Sequence, residues 1–162
     1  MRKIVFTTVV VLWMCAIFWF SAQPAEESTQ MSLGVGYEVG KLFVPGFSQW
    51  SAKEQKAFAE KVDYPVRKCA HASEYMILCF LLYFAVSSYP VNRKKGMLLA
   101  LLLTVFYAMT DEVHQLFVPG RSGRITDVAI DTAGALVSVV LLLSFHALRH
   151  KLKQAKQVRQ SD

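Results

Sequence analysis

Cysteine is scarce in this 162-residue chain and carries no pairing pattern. Cys15, Cys69 and Cys79 are odd in number, contain no CxxC, and two of them fall inside apolar runs. Neither a disulfide framework nor a thiolate metal site follows from them. No HExxH motif is present, so the two-histidine zinc helix is excluded as well. There is no internal repeat, and the stretch between residues 21 and 68 lacks the low complexity of a disordered tail. Above all, little polar chain is available. Ile4–Phe20, Met76–Tyr89 and Gly96–Met109 hold no charged residue, and Ala133–Leu148 holds only His146 among ionisable types.

Those four blocks are what the chain does have. A hydrocarbon core about 30 Å thick takes about 20 helical residues to cross. Each block reaches that length if its polar flank continues the helix, which predicts spans over 4–22, 69–89, 96–116 and 127–148. In a soluble protein, too little polar chain would remain to cover four such helices. The reading is therefore all-α: a single integral membrane four-helix bundle over 1–162, with an outer-face loop region containing short helices over 23–68 and a basic tail over 149–162. The first block follows Arg2 and Lys3, as in a signal peptide. Its core is long and aromatic, however, and Phe20 would sit where cleavage needs a small residue, so it reads as a retained anchor.

Net charge is +6, and its placement orients the bundle. Arg2 and Lys3 precede span 1, Arg93, Lys94 and Lys95 fill the turn between spans 2 and 3, and Arg149, Lys151, Lys153, Lys156 and Arg159 follow span 4. The positive-inside rule places all three clusters, and hence both termini, in the cytoplasm. The basic tail is short and lacks interleaved aromatics, which argues for contact with membrane lipids and against nucleic acid.

In the outer loop, Ser51-Ala52-Lys53-Glu54 fits a capping box opening a short helix over 52–62. Met31, Val35, Val39 and Leu42 recur at helical spacing, predicting an amphipathic lid helix within 26–43 that rests on the bundle or the membrane surface. Val44-Pro45-Gly46 and Tyr64-Pro65 read as breakers. In span 4, Gly134/Ser138 and Ala129/Ala133 are small pairs at i, i+4, suited to close helix packing in lipid. His146, on the last turn of span 4, reads as interfacial.

The remaining ionisable groups converge on one membrane face. Span 2 enters there with Arg67, Lys68, His71, Glu74 and Tyr75. Span 3 leaves with Asp111, Glu112, His114 and Gln115. Span 4 enters with Asp127 and Asp131, after Arg121 and Arg124. Arg67, His71, Glu74 and Tyr75 follow i, i+4, i+7, i+8, a single helix stripe. A carboxylate as deep as Glu74 must be protonated, paired or in a wet pocket, because about 2.5–3.5 kcal/mol is the cost of burying such a charge at the centre of a bilayer. Arg67, Lys68, Arg121 and Arg124 are the counter-charges on offer. Three uses remain open: interhelical locking, an acid–base or divalent-metal site drawing on His71, Glu74, Asp111 and His114, and a pocket for a polar head group.

Phe20-Ser21-Ala22-Gln23, Arg67-Lys68-Cys69-Ala70-His71-Ala72-Ser73-Glu74-Tyr75, the run from Tyr107 through Asp111-Glu112-Val113-His114-Gln115 to Pro119-Gly120-Arg121, and Asp127 to Gly134, in that order, resemble the VanZ-like family of small bacterial membrane proteins. Ser138 stands where that family usually has glycine. The resemblance implies a place in the bacterial inner membrane and a role in the cell envelope, and the founding member is linked to low-level teicoplanin resistance, an antibiotic resistance. The expectation is an outer-face pocket formed by Arg67, His71, Glu74, Tyr75, Asp111, Glu112, His114, Gln115, Arg121, Asp127 and Asp131 that binds a polar or anionic lipid or lipid-linked cell-wall precursor. The alternatives are an intramembrane hydrolase or transferase, using Glu74 or Asp111 with His71 and His114 and with or without a divalent metal, and a non-catalytic accessory subunit.

Overall fold

The structure, a computed structural model, describes residues 1–161, with side chains described through Gln157; Arg159 of the predicted tail lies outside the described side chains. The described residues form five α-helices: α1 (Arg2–Ser21), α2 (Ala25–Phe43), α3 (Ala52–Val86), α4 (Arg93–Gln115) and α5 (Ile125–Ser161). All except α2 are long and apolar enough to cross a membrane. Their outward faces carry Leu12, Trp19, Leu98, Leu102, Phe106, Val140 and Leu143, all exposed, as helices solvated by lipid require.

α3 is the axial element. It packs along α1, α4 and α5, and α2 lies against its first half. α3 and α5 run in the same direction, in contact from Lys68–Asp127 at one end to Tyr83–His146 at the other. Between these pairs Gly134 meets the backbone of Ala72 so closely that a Cβ would run into the Ala72 carbonyl. Gly134 and Ser138 therefore do form a buried packing seam, but Ala129 and Ala133 are exposed and form none. The other end of the bundle is fastened by Lys3 over the Tyr89 ring and by Phe6 stacked on Phe84. This brings the starts of α1 and α4 together with the far end of α3.

Three expectations need correction. The helix opened by the Ser51/Glu54 capping box does not stop at 62, and Tyr64-Pro65 breaks nothing: α3 continues through Pro65 for 35 residues, about 52 Å at 1.5 Å per residue. The Asp63–Arg67 ion pair (2.6 Å) spans the proline, and α2 supports the same turns from the side. Second, α2 forms, but its packed face is Ser28, Ser32, Gly36 and Gly40, not the apolar stripe. Gly36 sits on Ala59 and Val62 and Gly40 on the ring of Phe47, while Met31, Val35 and Leu42 are exposed. Contact distance decides this: small residues let two backbones approach where Met and Leu cannot. Third, the basic tail is no separate segment but the continuation of α5. The breaker at Val44-Pro45-Gly46 holds, with Gly46 at φ 75° turning the chain into a short 3₁₀ turn (Phe47–Gln49).

Candidate functional site

The polar residues collect at the end of the bundle where α1 and α4 finish and α3 and α5 pass. The turn Val118-Pro119-Gly120-Arg121 brings them together. Arg121 N–H donates to the Val118 carbonyl at 3.1 Å and Gly120 takes φ 73°, the left-handed value that glycine adopts without strain. The Pro119 carbonyl accepts from Ala25 N–H at 3.1 Å, tying the start of α2 to this turn.

Three groups of contacts result. In the first, Ser21 on α1 donates to the Asp111 carboxylate on α4 at 2.7 Å, and the Gln115 amide donates to the same oxygen at 3.1 Å. All three side chains are buried. Ser21→Ala should therefore lower the melting stability of the detergent-solubilised protein by about 1.5–3 kcal/mol, the value of a hydrogen bond to a charged group; an unchanged melt would dissociate Ser21 from Asp111.

The second group is the α3–α5 seam. Lys68 meets Asp127 at 2.6 Å, and His71 Nδ1 lies 3.8 Å from Asp131 Oδ1. Asp131 is fully buried, and neither of its oxygens has a hydrogen-bond partner. The Tyr75 hydroxyl, also fully buried, is left in the same condition beside Asp111. On the far side of α4, Glu112 accepts from the backbone N–H of Arg124 at 2.7 Å, which fixes the entry to α5.

The third group lines space. A cavity of about 250 Å³ opens between α1, α2 and α3. Arg67, His71, Glu74 and Arg121 form its polar side, Phe20, Met31, Val35 and Val66 its apolar side. A second hollow of about 190 Å³ adjoins it, bordered by Lys68, Arg124, Tyr64 and Asp127. Arg67, His71 and Arg121 line both. Burial, and then the nearby Arg67 charge, lower the pKa of the Arg121 guanidinium, which remains a cation.

The sequence-derived set is thus divided. Arg67, His71, Glu74 and Arg121 share one cavity with Ser21, whose hydroxyl holds Asp111 just behind the wall. His114 does not join them: its ring stacks on Phe18 with centroids 4.3 Å apart. Among the described residues no three His, Cys, Asp or Glu side chains are gathered as a metal-holding group, so His71, Glu74, Asp111 and His114 do not form the ligand set their spacing allowed. The expected counter-charges also behave differently from one another. Lys68 alone pairs with an acid of the cluster. Arg67 pairs with Asp63, Arg121 donates to the carbonyls of Gln23 and Phe20 at 3.1 and 3.2 Å, and the Arg124 side chain reaches Ser122. Asp63, Ser28, Ser32 and Val66 carry no signal of the site in the sequence, and Met31 and Val35, conspicuous there as a lid stripe, turn out to line the cavity. The Ser28/Ser32/Gly36/Gly40 spacing was the available signal for α2's position, but small residues leave no mark on a hydropathy stripe.

Fold and site define a four-span helical membrane protein with a polar recess at one end of the bundle. The chain belongs to the VanZ/LLP1 family, whose model matches residues 6–146. No curated protein and no solved structure matches it.

Proposed function

We propose that this VanZ-family membrane protein binds an amphiphile of the cell envelope, a lipid or lipid-linked wall precursor with an anionic head, in the paired cavities at the end of the bundle. The observation that carries the reading is the two-sided wall. Arg67 and Arg121 present guanidinium groups to the same space, where an anion could take charge-assisted hydrogen bonds from both. Met31 and Val35 on α2, with Val66 on α3, give the same cavity apolar surface suited to hydrocarbon. Glu74 is placed to accept from a hydroxyl or amine of the same head group, and the adjoining hollow leaves room for further polar atoms beyond the arginines. The family's link to teicoplanin resistance fits a protein that sequesters or presents such a molecule at the envelope.

Native mass spectrometry of the full-length protein in mild detergent, with lipid extraction, tests this. Wild type should carry a bound amphiphile, and Arg67→Gln should lower its occupancy about tenfold or more, through loss of charge-assisted hydrogen bonds. Asp63→Asn, which breaks the same ion pair but keeps the guanidinium, should retain the ligand. Equal occupancy in wild type, Arg67→Gln and Glu74→Gln would reject the proposal.

A second reading, an intramembrane hydrolase or transferase, rests on one juxtaposition: the His71 imidazole borders both cavities and stands 3.8 Å from Asp131, outside hydrogen-bond distance but close enough for the carboxylate to orient a general base if the two close up on a substrate. Turnover of a labelled lipid-linked substrate by wild type and not by His71→Gln would decide for it.

A further inference from the structure

The opposite end of the bundle holds a second charged recess, which the site above does not use. Arg93, the first residue of α4, faces a stripe of α5 made of His146, Arg149, His150 and Lys153, at i, i+3, i+4 and i+7. Together they enclose a cleft of about 220 Å³. Among the described residues no carboxylate lies within ion-pair distance of Arg93, Arg149 or Lys153. The contrast with the other end is sharp: there Arg67 and Lys68 each have an acidic partner at 2.6 Å. The cleft is also shaped by contacts within the protein. Tyr83 on α3 holds His146 Nε2 at 2.7 Å, and the Arg149 guanidinium lies 5.4 Å from the centre of the Phe145 ring. Like charges held this close by packing repel one another, and an anion between them removes that repulsion.

The neighbouring surface says which kind of anion. Phe145, Leu148 and Leu152 recur along α5 at i, i+3, i+7, and all are more than half exposed. Over residues 145–153 α5 is thus basic on one side and apolar on the adjoining side, the pattern of a helix at the boundary between head groups and acyl chains. Basic pockets between membrane helices at that depth take phosphate head groups. We propose that this cleft is a specific site for the phosphate of an anionic phospholipid, held by Arg93, Arg149 and Lys153, with its acyl chains along Phe145 and Leu148. The site stands independently of the function proposed for the other end.

The test uses the full chain in mild detergent, with phosphatidylglycerol, phosphatidylcholine and inorganic phosphate as probes and native mass spectrometry as the readout. Wild type should prefer phosphatidylglycerol to phosphatidylcholine. The double variant R93Q/R149Q should bind phosphatidylglycerol about 30-fold more weakly, which corresponds to about 1 kcal/mol for each cation removed near a lipid surface. K94Q/K95Q removes the same amount of charge next to Arg93 but outside the cleft and should change affinity less than about threefold, since it tests bulk charge alone. A lipid bound at the opposite end is untouched by either variant, so the difference between them reads this cleft. Equal losses in the two variants, no loss in R93Q/R149Q, or no preference between the two lipids each overturns the proposal. Displacement of phosphatidylglycerol by millimolar inorganic phosphate would reassign the cleft to free phosphate and overturn the lipid assignment.

Discussion

Gly134→Ala is expected to destabilise the bundle by about 3 kcal/mol or more and to leave little folded protein in the membrane, because the added methyl group meets backbone and not a movable side chain. Gly134 is buried on α5, and a Cβ there would overlap the Ala72 carbonyl of α3. A side chain can rotate away from such a clash, but a carbonyl in the middle of a helix cannot without breaking its own hydrogen bond. The two helices must therefore separate, and the separation is felt along the whole seam, at Lys68–Asp127 and His71–Asp131 on one side and Tyr83–His146 on the other. Gly34→Ala is the internal control. Nothing lies within 4 Å of a Cβ at Gly34 in α2, and replacing glycine by alanine in an open helix position should stabilise by up to about 1 kcal/mol. Membrane accumulation of a fluorescent fusion, with melting in detergent, reports both. A Gly134→Ala protein that accumulates and melts like wild type would show that the close crossing of α3 and α5 does not exist.

Removal of Lys68 should be the second large effect. Its amine reaches Asp127 at 2.6 Å, the two side chains being 19% and 11% exposed, and it also lies over the Tyr64 ring. Lys68→Met leaves the Asp127 carboxylate without its partner in a poorly hydrated place. Breaking one half of a buried pair costs about 3–5 kcal/mol, and the residual exposure here puts the expected loss near about 3 kcal/mol. The double variant Lys68→Met/Asp127→Leu should recover most of this and fall within about 1 kcal/mol of wild type, because no uncompensated charge remains. Thermal melting of the three proteins in one detergent measures it. If the single variant is no less stable than the double, the ion pair does not stabilise the seam.

How much of this could be read in the sequence depends on what each feature needed. The spans needed only charge-free length, and Ile4–Phe20 or Gly96–Met109 supply it without help from the fold. That the polar groups reach one level followed from the spans. Which group meets which did not follow. His114 and Asp111 stand on neighbouring faces of α4, yet one stacks on Phe18 and the other accepts from Ser21, a choice made by the rotation of α1 against α4. Arg121 looked like a counter-ion and instead holds two carbonyls at the end of α1, because the last carbonyls of a helix are acceptors too. The surface helices were misread for a physical reason as well. A stripe of Met31, Val35 and Leu42 is conspicuous, whereas Ser32, Gly36 and Gly40 are what lets α2 lie flush on α3. Pro65 looked like a stop, since proline removes a helical hydrogen bond and crowds the carbonyl four residues before it, yet α3 runs through it with the Asp63–Arg67 pair and α2 packed on the same turns.

That proline has a mechanical meaning. With no N–H at Pro65, the carbonyl of Lys61 lacks its i+4 helical donor, so the helix is not held there by its own ladder. The weak joint is braced from outside. Asp63, just before it, accepts from Ser32 of α2 and is clamped by Arg67 just after it. Arg67 is the same guanidinium that faces the cavity. An occupant that drew Arg67 away from Asp63 would therefore remove one of the two side-chain contacts that brace α3 at its proline, leaving the Ser32 contact from α2.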